Sequence, residues 1–141
     1  MVSLGLDKEK LNLQIARLEE SLKRIKAIKK DKLNDTTRAA LERTLQVIVE
    51  ESLNIGNHLI SGLGLRRADT YREIFLVLEE EKAISSKVSK EMQNFAVFRN
   101  RLVHLYWKIS DEEFKSQLDK LNVFIDFVKE MTIFLHKKKL W

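Results

Sequence analysis

"SKVSKEMQNFAVFRNRLVHLYW", Ser86 to Trp107, carries Val88, Met92 and Phe95 at steps of four and three, the spacing that draws one apolar stripe along an α-helix. The same period demands an apolar side chain at position 99, and Arg99 stands there. Leu102 and Tyr106 then resume the stripe, with Tyr106 at i+7 on the side of Arg99. A guanidinium cannot be neutralised and is costly to bury unless an anion meets it. The stretch therefore reads as a helix whose buried side opens on a carboxylate or a phosphate.

Working outward, the rest of the chain repeats the helical period. From about Asp7 to Lys30, Leu11, Ile15, Leu18, Leu22 and Ile25 form one stripe. "NDTT", Asn34 to Thr37, supplies caps for a second helix with the stripe Leu41, Leu45, Ile48, Ser52, Ile55 and Leu59. Gly56 within that helix costs about 1 kcal/mol relative to Ala, so either the helix weakens there or, the favoured reading, another backbone approaches closely. "SGLGLRRAD", Ser61 to Asp69, is the loop between two halves. Thr70 with Glu73 has capping-box spacing before the short helix "REIFLVLEE", which "KAISS" ends. Ser110 with Glu113 repeats that signature, and Phe114, Leu118, Leu121, Ile125 and Val128 carry one last helix toward "HKKKLW". The expected architecture is all-α, an antiparallel four-helix bundle with an additional short helix, as a single domain over 1–141.

Composition agrees. Proline is absent and there are only four glycines among 141 residues, so the usual helix breakers are scarce. The chain has no cysteine, which excludes disulfides and thiolate metal sites. No stretch offers ~18 uncharged apolar residues, and the charges from Asp7 onward leave too short an apolar run for a signal peptide. A cytoplasmic protein that spans no membrane is expected. The net charge of +5 and a pI near 9.4 favour an anionic partner such as RNA or DNA, although basicity bears on association and not on fold.

The chemistry concentrates between Arg99 and Tyr106. His104 lies about 140° around an ideal helix from Arg99, so the two converge only if the helix ends, bends or meets a second subunit. Arg99, Asn100, His104 and Tyr106 make a local set without a carboxylate, a thiol or a metal-ligand cluster. Such a set suits stabilising and protonating a phosphate and does not suit activating a metal-bound water. In metal-independent RNA cleavage the ribose 2′-hydroxyl attacks the neighbouring phosphorus, and an imidazole titrating near 6.5 moves protons at neutral pH. Arg99 would stabilise the extra negative charge of the transition state, and acid–base help from His104 is worth roughly 10²- to 10⁴-fold. An arginine and a histidine near a helix end also serve as caps or solvated side chains, and Tyr106 with Trp107 as the edge of a core.

Four further residues are candidates for lining a cleft. Glu51, Asn54 and His58 share one helix face, either as a polar strip beside the site or as a solvated or dimer-facing stripe, and Arg101 lies within the motif itself. With one carboxylate and no Glu-x-x-His pair, the strip does not read as a metal site. Arg66, Arg67, Arg72 and Lys137 to Lys139 either track an RNA backbone or are simply solvated.

"RNRLVHLY", Arg99 to Tyr106, resembles the R-x4-H-x-Y motif of the HepT-like toxins of the HEPN superfamily, including the asparagine directly after the arginine. "MQNFAVF" and the long "ALERTLQVIVEESLNIGNHLI" are also similar to that family, so the likeness covers nearly the whole chain. The resemblance implies a HEPN-like homodimeric helical bundle acting as the endoribonuclease toxin of a type VII-like toxin–antitoxin system. Arg99 and His104 would be catalytic and Asn100 positioning, with the motifs of two subunits facing one cleft and no metal or other cofactor. The implied partner is a minimal nucleotidyltransferase antitoxin that transfers AMP from ATP to Tyr106. An adenylyl group there would add bulk and a phosphodiester anion where substrate phosphate must sit. The alternative is a non-catalytic nucleotide- or RNA-binding partner of a nucleotidyltransferase.

Overall fold

Side-chain caps start five of the six α-helices of the computed structural model, which describes residues 5–141: Asp7, Asn34, Thr70, Ser85 and Ser110 each accept a backbone N–H three residues on. The helices are α1 (Lys8–Lys29), α2 (Asp35–Gly62), α3 (Tyr71–Glu80), α4 (Ser86–His104), α5 (Asp111–Leu118) and α6 (Asn122–Lys137). A single 3₁₀ turn, Tyr106–Lys108, separates α4 from α5, and there is no strand among the described residues. Of the single unit expected over 1–141, residues 1–4 lie outside the described residues.

α1 and α2 form an antiparallel pair whose predicted stripes are buried in full, from Leu11 to Ile25 on α1 and from Leu41 to Leu59 on α2. Near the start of α1, the Gly5 N–H donates to the Gly62 carbonyl at 3.3 Å. A Cβ on Gly62 would stand only 3.0 Å from the Leu6 backbone. The close backbone approach predicted for Gly56 is thus found at Gly62. At Gly56 the neighbour is a side chain, since a Cβ there would meet Ile74 Cγ2 of α3 at 2.5 Å.

α4 packs on α2, α3 and α6, and through Arg99 its C-terminal part meets Glu50 of α2. The expected single C-terminal helix is broken. Turns at 119–121 divide it into α5 and α6, closed by short-range bonds such as Lys120 N–H to Gln117 O at 3.0 Å and Phe124 N–H to Leu121 O at 3.1 Å. The break rotates the stripe: Phe114, Leu118 and Leu121 are buried as predicted, but Ile125 is 42% exposed. Phe124, Phe127, Met131 and Leu135 take over the core face. The phenylalanines gain most from this phase. Phe124 stacks obliquely on Phe95 of α4 at 4.7 Å and Phe127 meets Phe75 of α3 edge-on at 5.7 Å. Among the described residues no helix is long and apolar enough to cross a membrane.

Candidate active site

Arg99 sits where the stripe of α4 faces α2, and its side chain is only 16% exposed. The anion that this position requires is Glu50 of α2. One carboxylate oxygen, Oε2, accepts from Arg99 Nη2 at 2.6 Å and from Nε at 3.1 Å. Arg99 Nη1 donates to Asn100 Oδ1 at 3.2 Å, and the guanidinium carbon lies 5.3 Å from the centroid of the Tyr71 ring. Three of the five N–H donors of a guanidinium are thereby committed, and the other two have no partner among the described residues. The set is therefore not carboxylate-free, as its local sequence suggests. Burial alone would raise the Glu50 carboxyl, but hydrogen bonds from Arg99 and Gln46, with the charges of Arg99 and Arg43, outweigh it and hold the group below its ordinary value.

His104 is the last residue of α4 and its side chain is exposed. It remains in helical register, so it keeps its angular offset from Arg99, and no hydrogen bond joins the two. The helix ends at Leu105, whose backbone (φ −139°, ψ 32°) leaves the α region. Tyr106 consequently does not resume the stripe, because the i+7 relation holds only while the helix continues. Tyr106 and Trp107 are 53% and 65% exposed, with their rings edge-to-face at 5.4 Å, and so are not core edge either. Arg38 of α2 anchors the following segment by donating to the Ile109 carbonyl at 2.6 Å and pairing with Glu42 and Asp111.

Residues 11–131 match the family described as ribonuclease HepT-like. The chain belongs to the HepT-like family. A tRNA nuclease HepT from Aphanizomenon flos-aquae (strain 2012/KM1/D3) is 30% identical over 94 residues, which are 65% of this chain and 64% of that protein. YutE of Bacillus subtilis (strain 168) is 31% identical over 67 residues, 48% of this chain and 46% of that one. The match therefore spans between about half and two thirds of the length of these curated relatives. In three dimensions the chain resembles YutE, described as a cytosolic protein of unknown function, with a TM-score of 0.83, 21% identity and coverage of 98% and 96% of the two chains. It also resembles a tri-AMPylated Shewanella oneidensis HEPN toxin solved in complex with its MNT antitoxin, with a TM-score of 0.80, 23% identity and coverage of 87% and 96%. The fold is the helical bundle of HEPN proteins.

In this HepT-like chain none of the other predicted cleft residues is hydrogen-bonded to Arg99. Glu51, one residue and about 100° around the helix from Glu50, accepts a hydrogen bond from Ser21 of α1 at 2.7 Å. His58 accepts from the Asp7 N–H through Nε2 at 3.1 Å and meets Gln14 Oε1 through Nδ1 at 2.8 Å, so the neutral ring carries its proton on Nδ1. Asn54 lines a polar cleft of about 630 Å³ along the α1–α2 seam, together with Asp7, Lys10, Gln14 and His58. Arg101 turns to α5, where it forms a bidentate pair with Glu113 and covers the Phe98 ring at 5.7 Å. Arg66 is held by both oxygens of Glu80 at 2.8 and 2.9 Å, and Arg72 donates to Gln93 at 3.0 Å. Among the described residues no three His, Cys, Asp or Glu side chains are grouped to hold a metal ion.

Glu50 is the residue that sequence reasoning missed. The signal for it was the misplaced Arg99, which demanded an anion without saying which of 21 acidic residues would supply it.

Proposed function

We propose that this HepT-like chain is the toxin of a toxin–antitoxin pair, an endoribonuclease that cleaves RNA without a metal ion. The 2′-hydroxyl of the target nucleotide attacks the adjacent phosphorus and loses its proton, the bond from phosphorus to the 5′-oxygen breaks, and the leaving oxygen is protonated. The products carry a 2′,3′-cyclic phosphate and a 5′-hydroxyl. Arg99 stabilises the charge that builds on the phosphoryl oxygens, His104 moves protons, and Asn100 positions the guanidinium.

The observation that carries this reading is the state of Arg99. Its Nε and Nη2 are fixed by Glu50 and its Nη1 by Asn100, while the remaining donors have no partner among the described residues. A cation held in advance costs no reorganisation when charge develops on substrate. The angular offset between Arg99 and His104 supports a homodimer, in which the motifs of two subunits share one cleft. Tyr106, exposed in the turn after α4, is the proposed acceptor of AMP from a minimal nucleotidyltransferase antitoxin in the cytoplasm. Its phenolic oxygen would displace pyrophosphate from ATP, and the adenylyl group would then block the cleft.

Purified protein incubated with RNA in EDTA tests the reaction. Cleavage by the wild type that both Arg99→Ala and His104→Ala abolish is the expected result. RNA left intact by folded wild type rejects the nuclease in favour of a non-catalytic partner of a nucleotidyltransferase.

A further inference from the structure

The reaction accounts for Arg99 but not for the cleft beside it. α2, α4, the loop before α3 and the start of α3 border an open cleft of about 470 Å³ lined chiefly by Asn57, Asn100, Asp69, Thr70 and Tyr71. Four separate elements thus bring two primary amides, a carboxylate, a hydroxyl and one aromatic ring to a single hollow. Tyr71 opens α3 and is 46% exposed, although Arg99 lies over its ring. The Asn57 amide and the Asp69 carboxylate make no hydrogen bond within the described residues, and Asn100 uses only its oxygen, toward Arg99. Thr70 is committed to the backbone of Glu73 as the α3 cap.

We propose that this cleft is a nucleobase subsite, which seats the base next to the phosphate bound by Arg99 and prefers guanine. The inference rests on the nuclease reading for its placement along RNA. An exposed aromatic ring gives a base a stacking platform, and here Arg99 completes a layered stack of guanidinium, ring and base. Two unengaged amide groups and a carboxylate are the donors and acceptors that read the edge of an unpaired base. A carboxylate only accepts, and guanine presents adjacent N1–H and N2–H donors to it. Uracil sets one N–H between two carbonyls, which a carboxylate repels.

The test uses guanosine 3′-monophosphate and uridine 3′-monophosphate as probes of the full chain, followed through the side-chain amide NMR signals of Asn57 and Asn100. Guanosine monophosphate is expected to shift both amides and to bind more tightly than the uridine nucleotide. Tyr71→Ala should weaken that binding about tenfold, and Tyr71→Phe, which keeps the ring, should recover it. Asp69→Asn should erase the preference for guanosine. Unshifted amides, equal affinity for both nucleotides, or full affinity in Tyr71→Ala with its helical circular dichroism intact would each overturn the subsite. The two readings fail separately. Nucleotide binding at these amides without RNA cleavage removes the nuclease and keeps the subsite. Cleavage whose base preference neither Tyr71→Ala nor Asp69→Asn alters removes the subsite and keeps the nuclease.

Discussion

Glu50 and Glu51 are neighbours in sequence and belong to different regions of the molecule. Glu51 closes the seam between α1 and α2 through Ser21, in a region where His58 and Gln14 also satisfy one another or the backbone. Glu50 faces α4 and holds Arg99, in a region where donors, an aromatic ring and amides are left open. The same residue type thus completes a structural seam on one side of α2 and prepares a reactive group on the other. One helical step of rotation makes the difference.

The largest effect expected across this divide is on activity. Arg99→Ala should lower RNA cleavage by about 10²- to 10³-fold, the scale for losing one preorganised transition-state contact. Glu51→Gln should leave the rate unchanged, both read from initial rates on one RNA substrate. If Glu51→Gln proves as damaging as Arg99→Ala, the two sides of α2 are not separate.

Glu50→Gln comes next. It keeps the shape and removes the charge that orients the guanidinium, so kcat should fall about tenfold, in line with the lower end of the 1.5–3 kcal/mol of a charged hydrogen bond, while KM changes little. A fall in KM with unchanged kcat would mean instead that Glu50 competes with substrate for Arg99.

Stability should separate the two sides by a smaller margin. Gly56→Ala forces a Cβ to within 2.5 Å of Ile74 Cγ2, a stiff and buried side chain, and should cost about 1–3 kcal/mol in urea unfolding despite the better helix propensity of alanine. Gly62→Ala, which meets the Leu6 backbone at 3.0 Å on the α1 side, should cost less.

The smallest effect is a difference in pH response. Burial depresses the His58 imidazole, helped by the charge of Lys10 and opposed by that of Asp7. Because the unfolded chain takes up this proton first, the α1 seam keeps its full stability above the ordinary value of 6.5 and loses it as pH falls through the folded one. Glu50 is also depressed, so its contribution persists above the ordinary 4.5 and is lost only below it. Thermal melting between pH 7 and pH 5 should therefore fall modestly in the wild type, and His58→Gln should flatten that dependence. An unchanged slope in His58→Gln would remove His58 as its source.

Much of the bundle was legible in the sequence because it is set locally. Caps such as Asn34, Thr70 and Ser110, and the stripes of α1 and α2, involve residues three or four apart whose geometry the helix itself imposes. The two predicted capping boxes show where locality ends. Glu113 gives its carboxylate to Arg101 and not to the Ser110 N–H, and Glu73 takes the Asp69 N–H in place of that of Thr70. The break between α5 and α6 carried neither proline nor glycine to announce it. It is stabilised by the seating of Phe124 and Phe127 against Phe95 and Phe75, contacts between distant segments.

The site divides in the same way. The sequence by itself determined that Arg99 interrupts an apolar stripe, that an anion must face it, and that Asn100, His104 and Tyr106 stand within one short segment. Those are consequences of periodicity and of the cost of burying a guanidinium. Only the tertiary structure decided that Glu50, 49 residues away, supplies the anion, and that α4 stops at Leu105 and frees Tyr106 from the stripe. It also set Asn57, Asp69 and Tyr71 around a hollow beside Arg99. The physical reason is that a helix fixes which of its own residues share a face, whereas the packing of helices against one another chooses what that face meets.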